Sequence, residues 1–261
     1  MGYSRQYYYK QFNQEIKQAK EFEKVHHFLI AQRKLLPKLG GRKLYHEIKP
    51  KLLKSQIKIG RDKVFEILKK NQMLIVPQRR YIQTTMSKHW MRKYPNLIKG
   101  VCVTMPEQIW VSDITYIKTD QGNCYLNLVT DMYSRKIMGY ALAESMDTES
   151  MIQAFKMAIQ NRKYPNRSLT HHSDRGLQYC SKEYVALSQK HGIKISMTEN
   201  SDPYENAMAE RMNRTLKEEF GLGNILKSKK HAKYLTEEAV YLYNNLRPHL
   251  ALNMKKPQQV H

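Results

Sequence analysis

The sequence predicts an α/β fold: a mixed five-stranded sheet covered by helices, preceded by a basic, all-helical region. Three observations carry this expectation. From about residue 105 the chain turns to short β-branched and aromatic runs set off by turn residues, and the later ones alternate with helical stretches. Before that point, apolar residues recur every three or four positions. Charge divides at nearly the same place: residues 1–100 hold 24 Lys/Arg against 6 Asp/Glu, and residues 101–261 hold 21 against 17. The formal net charge is +22, and the excess is spread among helices rather than packed into one tail. That distribution describes a folded surface for holding DNA or RNA, beside a second, nearly balanced module.

Taken in order, residues 1–35 form an amphipathic helical extension. Phe12, Ile16, Ala19, Phe22, Val25 and Leu29 lie on one stripe with charged residues opposite. The stripe suits packing on its own domain and covers too few heptads to establish a coiled coil. In residues 36–74, Gly40-Gly41 breaks the chain, Leu44, Ile48 and Leu52 follow at helical spacing, and "IKIGR" makes a turn. Val64, Ile67 and Leu68 then line a second, lysine-rich helix. Such a pair fits a helix-turn-helix or an ordinary helical hairpin, and the charge favours DNA. Arg42, Lys43, Arg61 and Lys63 are its candidate DNA contacts. Residues 75–104, with Pro77, Pro95 and "QRR", read as a basic linker.

The remaining 105–261 form the α/β module. Strand-like runs at 108–118, 124–133 and 136–143, with the turn signal "DQGN" between the first two, make an antiparallel meander. A helix at 147–162 with Thr148 as N-cap follows, then a strand at 168–172, a helix at 181–191, a strand at 193–197 and a long helix at 204–220. The order βββαβαβα describes a mixed sheet with helical cover.

Composition narrows the function classes. A 41% hydrophobic fraction describes a globular chain, and no apolar run approaches a membrane span. The start "MGYSRQYYYKQ" has no apolar signal-peptide core, so the expected location is the cytoplasm. Cys102, Cys124 and Cys180 are odd in number and widely spaced, which argues against a disulfide framework or a structural zinc.

Three carboxylates stand where chemistry would need them. Asp113 sits inside an apolar strand among Trp110, Val111, Ile114 and Tyr116, a position that β-propensity disfavours. Asp174, in "HHSDRGLQY", follows the next strand after the meander, and Glu210 lies on the long helix. Each has an ordinary explanation: Asp113 as a satisfied edge residue, Asp174 as a turn cap beside Arg175 and Gly176, and Glu210 as a surface pair with Arg214. Their joint spacing is what those explanations do not predict. Thirty-five residues separate Asp174 from Glu210, and Lys217 follows Glu210 by seven, returning to the same helix face. Crowded carboxylates call for a cation, and hard oxygen donors suit Mg²⁺ or Mn²⁺, two of which can promote phosphodiester chemistry.

"WVSDITYI", "LVTDMYSRKIMGYAL", "HHSDRGLQY", "SDPYENAMAERMNRTLKEEF" and "YNNLRPHLALNMKKP" closely resemble, in order, the motifs of OrfB-type insertion-sequence transposases, within the retroviral-integrase-like DDE superfamily. The resemblance covers residues 105–261 nearly throughout, and less distinctively the segments "GGRKLYHEI" and "IGRDKVFEILKKNQML". It implies an RNase H-like fold with Asp113, Asp174 and Glu210 as the DDE triad holding two Mg²⁺ or Mn²⁺ ions. It also implies that Asn206 matches the tripeptide preceding the triad glutamate, and that Lys217, with Arg214 and Arg175 nearby, holds DNA. Asp131, a further acid of the meander, matches a position outside the triad and reads as a structural residue bonding turn amides. Glu199, Asp202 and Glu205 are loop acids, "RPH" at 247–249 is a folding element, and His171 and His172 could contact DNA. His26-His27 has no cysteine before Cys102, so the integrase zinc module is not expected.

The expected function is therefore a transposase that binds the terminal inverted repeats of an insertion sequence and cleaves and joins DNA strands. The resemblance further implies copy-and-paste movement through a circular intermediate, an upstream-frame partner segment, and a dimer or larger synaptic assembly on nucleoid DNA. Two alternatives remain at this point: a nuclease on the same fold, and a non-enzymatic DNA-binding regulator or transposase relic.

Overall fold

A computed structural model describes residues 4–75, 91–199 and 206–261, and divides the chain into two compact units, Met1–Gln78 and Arg79–His261. Among the described residues no helix is long and apolar enough to cross a membrane.

The described residues of the first unit form three helices, α1 (Arg5–Leu35), α2 (Gly41–Lys54) and α3 (Arg61–Lys70). Ser4 caps α1 by accepting from the Tyr7 amide. Val25 and Leu29 of α1, Leu44, Ile48 and Leu52 of α2, and Val64, Ile67 and Leu68 of α3 are buried, and the three helices touch one another. The Arg33 guanidinium donates to Pro37 O and Met73 O and ties the α1–α2 turn to the segment after α3. The apolar stripe expected on α1 is used over half its length: Phe12 is 60% exposed and Ile16 40%. Length explains this. At 1.5 Å per residue α1 runs about 46 Å and α2 about 21 Å, so α2 and α3 cover only the C-terminal half.

The second unit is a five-stranded sheet with helices on both faces. Its strands are β1 (Ile109–Thr119), β2 (Gly122–Asp131), β3 (Ile137–Ala143), β4 (Thr170–Ser173) and β5 (Lys194–Met197), in the order β3-β2-β1-β4-β5. β1–β2 and β2–β3 are antiparallel, while β1–β4 and β4–β5 are parallel. The β1–β2 hairpin turns through Asp120-Gln121 onto Gly122, whose φ of 104° favours a residue without a side chain. Among the described residues, five α-helices complete the unit: α4 (Thr148–Gln160), α5 (Lys182–Lys190), α6 (Ala207–Glu219), α7 (Lys229–Asn245) and the short α8 (Pro257–Val260).

Alternation along β1 assigns its two faces. Trp110 and Ile114 pack with Met151, Ala154 and Phe155 of α4 and Tyr184 of α5. Ile109 and Val111 pack with Ala209 of α6. Gly139 of β3 lets α4 lie directly on the sheet, because a Cβ there would sit 2.6 Å from Ala158 N. The cap of α4 is Asp147, one residue before the expected Thr148: its carboxylate accepts from Ser150 N. Residues 91–104, expected as linker, belong instead to the second unit. Met91 and Tyr94 join the α4 face, Ile98 and Val103 the α6 face, and Leu97 N donates to Ser196 Oγ. Local composition hides this, because Met91, Tyr94 and Ile98 each stand beside a proline or a charge. The rest of that segment, residues 76–90, lies outside the described residues.

Candidate active site

Asp113 shares the α6-facing side of β1 with Ile109 and Val111. The parallel β1–β4 ladder pairs Trp110 with His171 and Val111 with His172. Two residues further on, the same register sets Asp113 beside Asp174, just past the end of β4. Glu210 comes over them on the first turn of α6.

The electrostatics register this convergence. The Asp113 carboxyl is pushed up to about 7, first by burial and then by the charge on Asp174, with Glu210 adding to it. The Glu210 carboxyl is also raised, by desolvation first; Arg214 opposes the shift and Asp174 adds to it. Tyr179 feels the same field: burial, then Asp174 and Asp113, hold its phenol well above its ordinary value. Among the described residues no three His, Cys, Asp or Glu side chains are arranged to hold one ion as they stand. The donor set nevertheless fits a hard divalent cation. It is all carboxylate oxygen, and the charges that raise the Asp113 and Glu210 carboxyls are ones that a cation between them would offset.

Two integrase core domain families match the chain, over residues 103–203 and 191–257. The uncharacterized 31 kDa protein of insertion element IS600 from Shigella sonnei is 33% identical over 220 residues, 84% of this chain and 79% of that protein. The transposase for insertion sequence element IS904 from Lactococcus lactis is 34% identical over 180 residues, 66% of this chain and 70% of its own. The chain belongs to the integrase-core transposases of insertion sequences. The fold agrees with a solved relative, the simian T-cell lymphotropic virus intasome in complex with PP2A regulatory subunit B56 gamma. That match has a TM-score of 0.51 at 18% identity and covers 79% of this chain and 68% of the other. The five-stranded mixed sheet is thus the RNase H-like integrase fold. Within the transposase the two matched spans contain all three acids.

One residue of the site was not singled out in the sequence. Asn213 lies on α6 one turn after Glu210 and is 5% exposed. Its Nδ2 donates to Asp113 Oδ2 at 2.8 Å, while Ile114 N donates to Asp113 Oδ1 at 2.9 Å. Both oxygens of Asp113 are therefore held, one by the strand and one by the helix that carries Glu210. The available signal was periodic: Glu210, Asn213 and Lys217 fall at i, i+3 and i+7, on one helix face. Asp174 has a second duty as well, since its Oδ1 accepts from Gly176 N at 3.0 Å. The turn-cap explanation of Asp174 and its place beside Asp113 are both geometrically true.

The transposase distributes the other candidates unevenly. Arg214 is exposed close to Glu210, and Arg175 is half-buried next to Asp174. Lys217 is half-buried, with Nζ 4.4 Å from the Tyr116 ring centroid. Asn206 departs from the expected DNA contact: it is buried, and its Nδ2 donates to Ser112 O, so it ties the start of α6 to β1. In the first unit Arg42 is exposed and Lys43 half-buried. On α3, Arg61 pairs with Asp62 at 3.0 Å and Lys63 with Glu66 at 2.6 Å, all at the surface.

His171 and His172 are fully buried and do not face a DNA surface. His171 stacks on Phe155 and is hydrogen-bonded to Ser112 Oγ and Tyr184 OH. Burial, then His172, drives its pKa down to about 3, so it is a neutral core residue. Asp131 accepts from Glu107 N, Ser134 N and Ser134 Oγ, each at 2.7 Å. Arg247 of "RPH" grips both oxygens of Glu219 at the end of α6. Glu199 stands 3.9 Å from Lys99 Nζ; Asp202 and Glu205 lie outside the described residues.

Proposed function

We propose that Asp113, Asp174 and Glu210 hold two Mg²⁺ or Mn²⁺ ions, and that the transposase uses them to nick the ends of its insertion sequence and join the freed 3′ ends to new phosphodiesters. The observation that carries this reading is the convergence of Asp113, Asp174 and Glu210 on the α6 side of β1, where burial and the neighbouring acids raise the carboxyls of Asp113 and Glu210. Divalent ions bound there would activate the attacking water or 3′-hydroxyl and stabilise the leaving oxygen. The chain's own contribution is positional. Asn213 and the Ile114 amide fix the Asp113 carboxylate, Gly176 N fixes that of Asp174, and α6 brings Glu210 over both. Arg214, Lys217 and Arg175 surround the acids with positive charge for DNA phosphates.

In the first unit we read α2 and α3 as a helix-turn-helix for the terminal inverted repeats, with Arg42, Lys43, Arg61 and Lys63 on phosphates. Two ends must be joined to one target, so on this reading the acting form is a dimer or larger synaptic assembly on nucleoid DNA, with an upstream-frame segment as an additional partner. Strand transfer on labelled DNA ending in the element's own inverted repeats tests the reading. Wild type is expected to give Mn²⁺-dependent joined products, and Glu210→Gln none. Cleavage without joining would indicate a nuclease; DNA binding with equal, metal-independent behaviour in wild type and Asp174→Asn would indicate a non-enzymatic regulator.

A further inference from the structure

The half-buried ammonium of Lys217 is held in an unusual way. Nζ lies 4.4 Å from the centroid of the Tyr116 ring, and Lys118 Nζ lies 5.9 Å from the same centroid. Among the described residues it forms no ion pair within 4 Å, although the Asp113 charge lies near enough to favour the charged amine against the burial that lowers its pKa. Tyr116 is on β1 three residues past Asp113, and Lys217 is on α6 seven residues past Glu210. The two elements that carry the acids therefore also carry this ring and this cation.

An ammonium has three N–H donors, and a carboxylate partner would occupy some of them. An aromatic face attracts the charge through its quadrupole and leaves those donors available. It also limits the freedom of a four-carbon side chain before any ligand arrives.

We propose that Tyr116 is a positioning residue for DNA binding: its ring holds Lys217 beside the acids with its donors open to a backbone phosphate. The inference rests on the reading of Lys217 as a phosphate contact and adds that Tyr116 sets where the contact is made. Tyr116 itself touches neither the acids nor the reacting phosphate; it acts through the lysine.

The test uses the full chain and a fluorescein-labelled random-sequence DNA duplex without divalent metal, followed by strand-transfer kinetics with Mn²⁺. Tyr116→Phe keeps the ring and is expected to bind DNA within about twofold of wild type. Tyr116→Leu keeps volume without the aromatic face and is expected to weaken binding about three- to tenfold, the range of a partly desolvated cation–π contact. It should raise the KM for DNA and leave kcat within about twofold. In a Lys217→Ala background, Tyr116→Leu should add nothing further. The ε-methylene protons of Lys217 should be shifted upfield by the ring in the metal-free wild type, a signature that is read even if Tyr116→Leu does not fold. Tyr116→Leu binding like wild type, Tyr116→Phe losing as much as Tyr116→Leu, additive losses in the double variant, or no ring-current shift would each overturn the inference. An unchanged affinity in Lys217→Ala would overturn the underlying reading of Lys217 along with it, whereas a loss there with wild-type binding in Tyr116→Leu overturns only the role of Tyr116.

Discussion

The second unit holds two groups of carboxylates, one buried and one half-buried to exposed, and they are treated in opposite ways. Glu107 accepts from Arg162 Nε at 2.9 Å and from the amides of Lys163 and Tyr164, and its own amide donates to Asp131. Burial pushes the Glu107 carboxyl up, yet Arg162 and the two amides outweigh it, and the net shift is downward. Asp131 faces Trp110 across the β1–β2 ladder, and Asp113 lies only three residues further along β1. There the acids face one another: two donors hold Asp113, and its carboxyl still rises to about 7. The contrast teaches that burial does not mark a functional acid. What marks it is a group of converging carboxylates whose charges raise the proton affinity of Asp113 and Glu210.

The largest effect should come from breaking the strained group. Asp174→Asn or Glu210→Gln is expected to lower strand transfer by at least about a thousandfold, about 4 kcal/mol of barrier, while DNA binding stays within about threefold. Rates on labelled end-DNA and fluorescence anisotropy measure the two quantities. The satisfied group should respond oppositely. Arg162→Met leaves Glu107 buried without its cation and is expected to cost about 3 kcal/mol of stability, with strand transfer per folded molecule unchanged; urea denaturation reads the loss.

A smaller effect sharpens the comparison from inside the site. Asn213→Ala removes the side-chain donor to Asp113 and should weaken Mn²⁺ binding about 10- to 100-fold, as loss of an orienting partner does, when followed by calorimetric titration. The smallest is a pH dependence. Asp113 holds its proton up to about pH 7 in the folded chain and only to its ordinary value when unfolded. Its contribution to stability is therefore full below about pH 4 and is lost as pH rises through about 7. The Tm of the metal-free protein should fall by a few degrees between pH 6 and 8, on the order of 2–4 °C per kcal/mol for a unit of this size. Saturating Mn²⁺ should remove that fall, as differential scanning fluorimetry would show.

Strand order and helix spacing were legible in the sequence because periods of two and 3.6 are local properties, and the five strands stand within two residues of where alternation and turn residues place them. The count from Asp174 to Glu210 was legible too, since it needs only numbering and a motif. Residues whose meaning depends on register were not. Asn213 looks like an ordinary polar helix residue until α6 is set against β1, and Asn206 looks like a DNA contact until its amide is seen to face Ser112 O. His171 and His172 suggested a surface because they flank Asp174, yet β4 lies between β1 and β5, where side chains on both faces are covered. Residues 91–104 read as linker because the hydrogen bonds that hold them reach partners about a hundred residues away: Leu97 N donates to Ser196 Oγ and Met197 N to Pro95 O.

The most direct test compares Mn²⁺ binding to the metal-free full chain at pH 8 for wild type, Asp113→Asn and Asp131→Asn, by calorimetric titration. If the converging acids are the metal site, wild type and Asp131→Asn bind Mn²⁺ alike and Asp113→Asn loses binding at least tenfold. Equal binding by Asp113→Asn and wild type, or loss in Asp131→Asn alone, would contradict it.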